Sequence, residues 1–212
     1  MKYAFVGLLV VALGLMAIVL LRPNAVTPTN TVRSVEQTLP TTTMTDDEQL
    51  AKLVAAPTAT VTTSLGTFTM RFYSADAPEL SKNFIELAKR GSYDGLTFHR
   101  VMSGFVIQGG DPSGDGTGGA SYTGQGLADE AGALALRHLQ GSVAWAKSSQ
   151  PNSIGSQFYV ALNPLPDLDG GYSVFGQVVD GQDVVDAIGA VETDANERPV
   201  TPVTIESITI NE

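Results

Sequence analysis

The chain has 212 residues, 43% of them hydrophobic and 16% charged, enough for one sizeable domain with appendages. A net charge of -10 argues against a nucleic-acid partner, because phosphate binding needs a basic face that 12 Lys and Arg against 22 Asp and Glu do not supply. With no cysteine there are no disulfides, thiol nucleophiles or Cys-ligated zinc, and the two histidines, His99 and His138, lack metal-binding spacing.

Residues 3–21 form an uncharged, overwhelmingly apolar run between Lys2 and Arg22. At about 1.5 Å per residue it spans roughly 28 Å, close to the ~30 Å hydrocarbon thickness of a bilayer. It ends in Arg22-Pro23 with no A-x-A cleavage pattern, so residues 1–22 read as an uncleaved single-pass membrane anchor. Release to a secreted or periplasmic form by cleavage is the alternative. Lys2 and the terminal amine favour a cytoplasmic N-terminus and an extracytoplasmic remainder, although Arg22 dilutes that bias. Residues 23–57, rich in Thr and Pro, read as a tether. Within it, 44–56 carries a short helix pattern with Thr45 as cap and acidic residues in the first turn.

From 58 to 212 the texture is that of a folded domain. Residues 59–73 alternate apolar and polar around Leu65-Gly66, which predicts a β-hairpin. Leu80, Phe84, Ile85 and Leu87, between Pro78 and Gly91, predict an amphipathic helix. Short β-rich runs follow at 96–101, 104–110, 141–146, 156–162, 172–179 and 203–210, with a second helix at 181–191. Many short strands with two isolated helices predict an antiparallel barrel or sandwich whose openings the helices cover.

Some motifs are decoys. Gly114, Gly116 and Gly119 satisfy G-x-G-x-x-G, but no hydrophobic helix follows to face a pyrophosphate. Asp111, Ser113, Asp115 and Gly116 imitate a calcium loop whose twelfth position is Tyr122, not a carboxylate. No serine sits in a nucleophile elbow.

Arg100 stands among Phe98, Val101, Met102, Phe105, Val106 and Ile107, with no Asp or Glu between it and Asp111. Taken singly, Phe105, Val106 and Leu168 read as core, Gln108 as a surface strand residue, and Arg100 as a cation covering apolar area with its stem. Arg100 and Gln108, eight residues apart, meet as neighbours only if the chain bends at Ser103-Gly104. His99 reads as a structural hydrogen-bonding residue and Trp145 as core, with groove wall the alternative. The glycine-rich segment reads as a tight loop.

Together, Phe98-His99-Arg100, Phe105, Gln108-Gly109-Gly110-Asp111, Gly116-Thr117-Gly118-Gly119, SQFYV at 156–160 and VFGQVVDGQDVV at 174–185 resemble the cyclophilins, the cyclosporin-type peptidyl-prolyl isomerases, in order across residues 59–210. The resemblance implies a mainly β fold: a closed eight-stranded antiparallel β-barrel capped by two α-helices, with a shallow groove on its outer surface. It implies no cofactor and no metal. Carried over by position, Arg100 is catalytic and Gln108 orients it. Phe105, Val106, Tyr159 and Leu168 form the apolar floor for a proline ring, with Val106 and Tyr159 where Met and Phe are commoner. Ala146 and Gln157 match positions lining the neighbouring subsite. Tyr172 stands where eukaryotic members carry His and bacterial ones often Tyr, which makes the chain bacterial-like. Asp167 replaces a tryptophan that many eukaryotic members use for cyclosporin, which argues against tight binding of that drug.

The implied function is isomerisation of Xaa-Pro bonds in polypeptides, assisting folding outside the cytoplasm. The alternative is a non-catalytic cyclophilin-like module that holds proline-containing segments. Either way the guanidinium is expected beside an apolar hollow and not locked to a carboxylate.

Overall fold

The computed structural model of the protein describes residues 44–212. The expected anchor at 1–22, and the tether up to residue 43, lie outside the described residues. Among the described residues no helix is long and apolar enough to cross a membrane.

Eight strands, β1 (Thr58–Thr63), β2 (Gly66–Phe72), β3 (Arg100–Met102), β4 (Val106–Gly109), β5 (Ser142–Trp145), β6 (Phe158–Ala161), β7 (Val174–Asp180) and β8 (Ile205–Asn211), form one antiparallel sheet in the order β3-β4-β6-β5-β7-β2-β1-β8. The expected hairpin is β1–β2, with Val61 opposite Phe68 and Ala59 opposite Met70, all four buried on one face. The sheet curls, but no strand ladder joins its edges β3 and β8. The segment ahead of β3 meets the start of β8 instead: Gly95 N–H donates to Ile205 O at 2.8 Å, Ile205 N–H to Leu96 O at 2.7 Å and Phe98 N–H to Val203 O at 3.0 Å.

The two expected helices are α2 (Pro78–Lys89), packed on β7 and β8, and α4 (Gln182–Gly189), packed on β2, β3 and β4. Ala77 offers α2 no side-chain cap. The carboxylate of Glu130 supplies one from a distance, accepting from Glu79 N at 3.2 Å and Leu80 N at 2.9 Å. The four-residue α3 (Ala131–Leu134) has no counterpart in the sequence reading.

β5 and β6 are buried along their whole length, because each face meets a different apolar cluster. Val143, Trp145, Phe158 and Val160 belong to the main core, where Trp145 stacks on Phe175 at 4.6 Å, so Trp145 is core and not groove wall. Ala144 and Tyr159 face outward, into a second cluster with Tyr73, Val106, Leu136 and Val174.

Residues 44–57, grouped with the tether on composition, are built onto that second cluster. Thr45 and Glu48 form a reciprocal capping box at the start of α1 (Asp46–Leu50). The fully buried Gln49 exchanges two 2.8 Å hydrogen bonds with the backbone of Arg137, and Met44 and Leu53 pack on the apolar residues. Composition does not reveal this docking, since its partner lies 88 residues away.

Candidate active site

The bend expected at Ser103-Gly104 is present. Phe105 N–H donates to Met102 O at 2.9 Å, and Gly104 takes φ of 73°, a conformation that favours glycine. This turn sets the β3–β4 register so that Arg100 lies directly opposite Gln108 and Met102 opposite Val106. Directly opposed residues share a face, so Arg100, Gln108 and Val106 all point outward, while Val101 and Ile107 enter the core. On β6, Tyr159 pairs with Gln108 and adds its ring to the same surface.

The result is a hollow of about 180 Å³ lined by Arg100, Phe105, Val106, Gln108, Ala146, Lys147, Tyr159, Leu168 and Tyr172. Eight of the nine residues singled out from the sequence meet there. The ninth, Gln157, lines an adjoining cavity of about 320 Å³, to which Gln108 and Ala146 also contribute. Polar side chains run continuously from one to the other: Arg100 Nη1 donates to Gln108 Oε1 at 3.3 Å, and Gln108 Nε2 donates to Gln157 Oε1 at 3.0 Å. Gln157 Nε2 then donates to Gly116 O at 3.0 Å and Gly118 O at 2.8 Å. The glycine segment is thus a loop walling the second cavity. Its calcium-like Asp111 is buried, and its carboxylate accepts from the backbone N–H groups of Ser113, Asp115 and Gly116.

Arg100 is not the unpartnered cation that its neighbours in sequence suggest. Its Nε donates to Glu197 Oε2 at 2.6 Å, across 97 residues. Nη1 and Nη2 also make contacts, to Gln108 and to Met102 Sδ, so the carboxylate occupies one edge of a group with five N–H donors. The expectation of a guanidinium free of carboxylates is corrected to that extent. Glu197 and Asn152 are the only non-glycine residues with positive φ among those described, Glu197 at 63°. Such a conformation costs about 1–3 kcal/mol. The Arg100–Glu197 pair, with side chains 37% and 40% exposed, offsets only about 0–1 kcal/mol of that.

The seat is assembled differently. Val106 and Tyr159 are buried, while Phe105, Leu168 and Tyr172 pack at its margin, Tyr172 edge-on to Tyr159 at 6.1 Å. Tyr159 brings a hydroxyl beneath an apolar floor, and a buried hydroxyl needs a partner. His138 provides it. Its Nε2 lies 2.9 Å from Tyr159 Oη, and its Nδ1 lies 2.9 Å from Asp169 Oδ1. A carboxylate only accepts, so Nδ1–H donates to Asp169 and Nε2 accepts from the tyrosine. Burial pushes the His138 pKa below its ordinary 6.5, against the opposing pull of Asp169, and pushes the Tyr159 hydroxyl up.

In the sequence His138 stands out only as a candidate metal ligand, and Glu197, Asp169 and Lys147 carry no local signal. A tyrosine hydroxyl in an apolar floor was the one signal pointing to His138. His99 differs from its expected role: both ring nitrogens are buried without a hydrogen-bond partner, and burial lowers its pKa. Asp167 is exposed on a 3-10 turn (Pro166–Leu168) at the margin of the seat.

A family profile described as cyclophilin-type peptidyl-prolyl cis-trans isomerase/CLD matches residues 58–210. The peptidyl-prolyl cis-trans isomerase-like 1 of Rhizopus delemar is 48% identical over 136 residues, 64% of this chain and 82% of the relative. Its namesake in Neurospora crassa is 45% identical over 145 residues, 68% and 88% of the two chains. A crystal structure of a Cryptosporidium parvum cyclophilin-type isomerase, obtained in the presence of the dipeptide Ala-Pro, is similar at 32% identity and a TM-score of 0.70, covering 73% of this chain and 99% of that one. With a matching fold, an outward arginine paired to a glutamine beside an apolar hollow, and this extent of identity, the chain belongs to the cyclophilin-type peptidyl-prolyl cis-trans isomerases.

Proposed function

We propose that the groove turns over Xaa-Pro bonds by seating the proline ring on Phe105, Val106, Tyr159 and Leu168 while Arg100 donates to the imide nitrogen. The observation that carries the reading is that Arg100, Gln108 and all four seat residues line one hollow. The bond rotates slowly because conjugation holds it planar, with a barrier of ~18–20 kcal/mol. On twisting, the nitrogen regains a lone pair that a permanently charged donor binds better than it binds the planar state. Gln108 holds the guanidinium from the neighbouring strand, and Ala146 and Gln157 contact the residues before the proline. A rate gain of roughly 10⁵ requires about 7 kcal/mol, whereas one charge-assisted hydrogen bond contributes ~1.5–3. The remainder comes from the seat, which fixes the ring and excludes water around the donor.

The test is proline isomerisation by the full-length chain and by Arg100→Ala. The substitution is expected to lower kcat/KM by about 10- to 150-fold, the equivalent of that one hydrogen bond. Equal rates remove Arg100 from the mechanism. Peptide binding with no acceleration by either form supports instead a module that holds proline-containing segments.

Partners of the groove are proline-containing polypeptides, a reading supported by the Ala-Pro dipeptide present with the solved relative. Asp167 places a carboxylate where tight cyclosporin binding calls for an aromatic ring. The run at 3–21 supports a single-pass anchor with the catalytic domain outside the cytoplasm, and Tyr172 supports kinship with bacterial members. Retention in membranes after alkaline carbonate washing, with the domain open to protease from outside, is the expected outcome. Recovery of a mature chain lacking the first 22 residues overturns the anchor.

A further inference from the structure

We propose that Glu197 is a positioning residue for catalysis, holding the Nε edge of Arg100 so that the guanidinium presents its other N–H groups to the twisted imide. This rests on the reading of Arg100 above and adds a residue from a different part of the chain to it.

Four hydrogen bonds shape the turn that carries Glu197. Asp194 Oδ1 accepts from Asn196 N at 2.8 Å and Arg198 N at 3.0 Å, Asp194 O accepts from Glu197 N at 3.0 Å, and Asp194 N donates to Arg198 O at 2.8 Å. The turn is then fastened to β3 itself, where Val101 N–H donates to Glu197 O at 2.7 Å. The backbone of Glu197 is therefore tied to the residue next to Arg100, while its side chain reaches Arg100 at 2.6 Å. Glycine would meet the φ of 63° without strain, yet the position holds a glutamate. A half-exposed ion pair does not offset that strain, so stability does not account for the residue. Orientation does. Gln108 fixes Nη1 from one side and Glu197 fixes Nε from the other, which sets the plane of the group within the hollow.

Four variants of the full-length chain in detergent separate the possibilities: Glu197→Gly, Glu197→Gln, Arg100→Ala and the double variant Glu197→Gly/Arg100→Ala. Glu197→Gly keeps every backbone bond of the turn, relieves the φ strain and removes the carboxylate. It is expected to lower kcat about 10-fold, to change the Kd of a proline-containing peptide less than 2-fold, and to leave Tm unchanged or higher. Glu197→Gln, which retains an acceptor, is expected to lose about 3-fold. The double variant is expected to turn over no more slowly than Arg100→Ala, since Glu197 acts only through that side chain. Wild-type kcat in Glu197→Gly, or a further loss on the Arg100→Ala background, overturns the inference while leaving the role of Arg100 intact. Wild-type turnover by Arg100→Ala overturns both.

Discussion

The two ends of the groove are built by opposite means. The apolar seat takes Val106 from β4 and Tyr159 from β6, diagonal neighbours on one face of adjacent strands, and beneath it Asp169 holds a buried His138–Tyr159 pair. The guanidinium end depends on a tight turn at Gly104 and on a strained glutamate 97 residues beyond Arg100. One end is stiff because it is part of a core, and the other is placed by polar contacts half open to water. Substitutions in the seat are therefore expected to change folding and substrate binding together, and those at the guanidinium end to change turnover alone.

The largest expected effect lies in the seat. Tyr159→Ala empties a ring from the second cluster, and calorimetry is expected to show a loss of about 3–5 kcal/mol in stability together with loss of peptide binding. Tyr159→Phe keeps the ring but leaves His138 Nε2 buried without its donor, at a cost of about 1–3 kcal/mol. An unchanged Tm in Tyr159→Phe breaks the claim that the hydroxyl is structurally bound.

Acid offers a milder test of the same contrast. Burial holds the pKa values of His99 and His138 below 6.5, so as pH falls through 6.5 the unfolded chain takes up protons that the folded chain refuses. Stability is expected to be complete above about pH 7 and to fall on acidification by at most about 1.4 kcal/mol per pH unit for each histidine. Turnover, which in the proposed mechanism transfers no proton, is expected to stay nearly flat from about pH 6 to 9. A bell-shaped rate profile in that range, with the fold intact, would assign the chemistry to a titrating group.

Strand positions and both long helices were legible because alternation and helical spacing are local properties of the chain. β1 and β2 follow from the alternation around Leu65-Gly66, and α2 from Leu80, Phe84 and Leu87 behind Pro78. The docking of Gln49 on Arg137 was not, since polar residues near a Thr-rich segment give no hint of a distant backbone partner. Nor was Glu197 legible, for a glutamate in a polar turn looks like any solvated acid until the turn folds onto β3.

By itself the sequence determined the kinds of groups available: an arginine and a glutamine within eight residues, a bend between them, and apolar strands enough for one curled sheet. Only the tertiary structure decided that Arg100 has a carboxylate at its back and that a tyrosine hydroxyl is met by a histidine. Those pairings join residues 97 and 21 apart. They arise when strands and turns far apart in the chain pack together, and no periodicity along the chain encodes such a meeting.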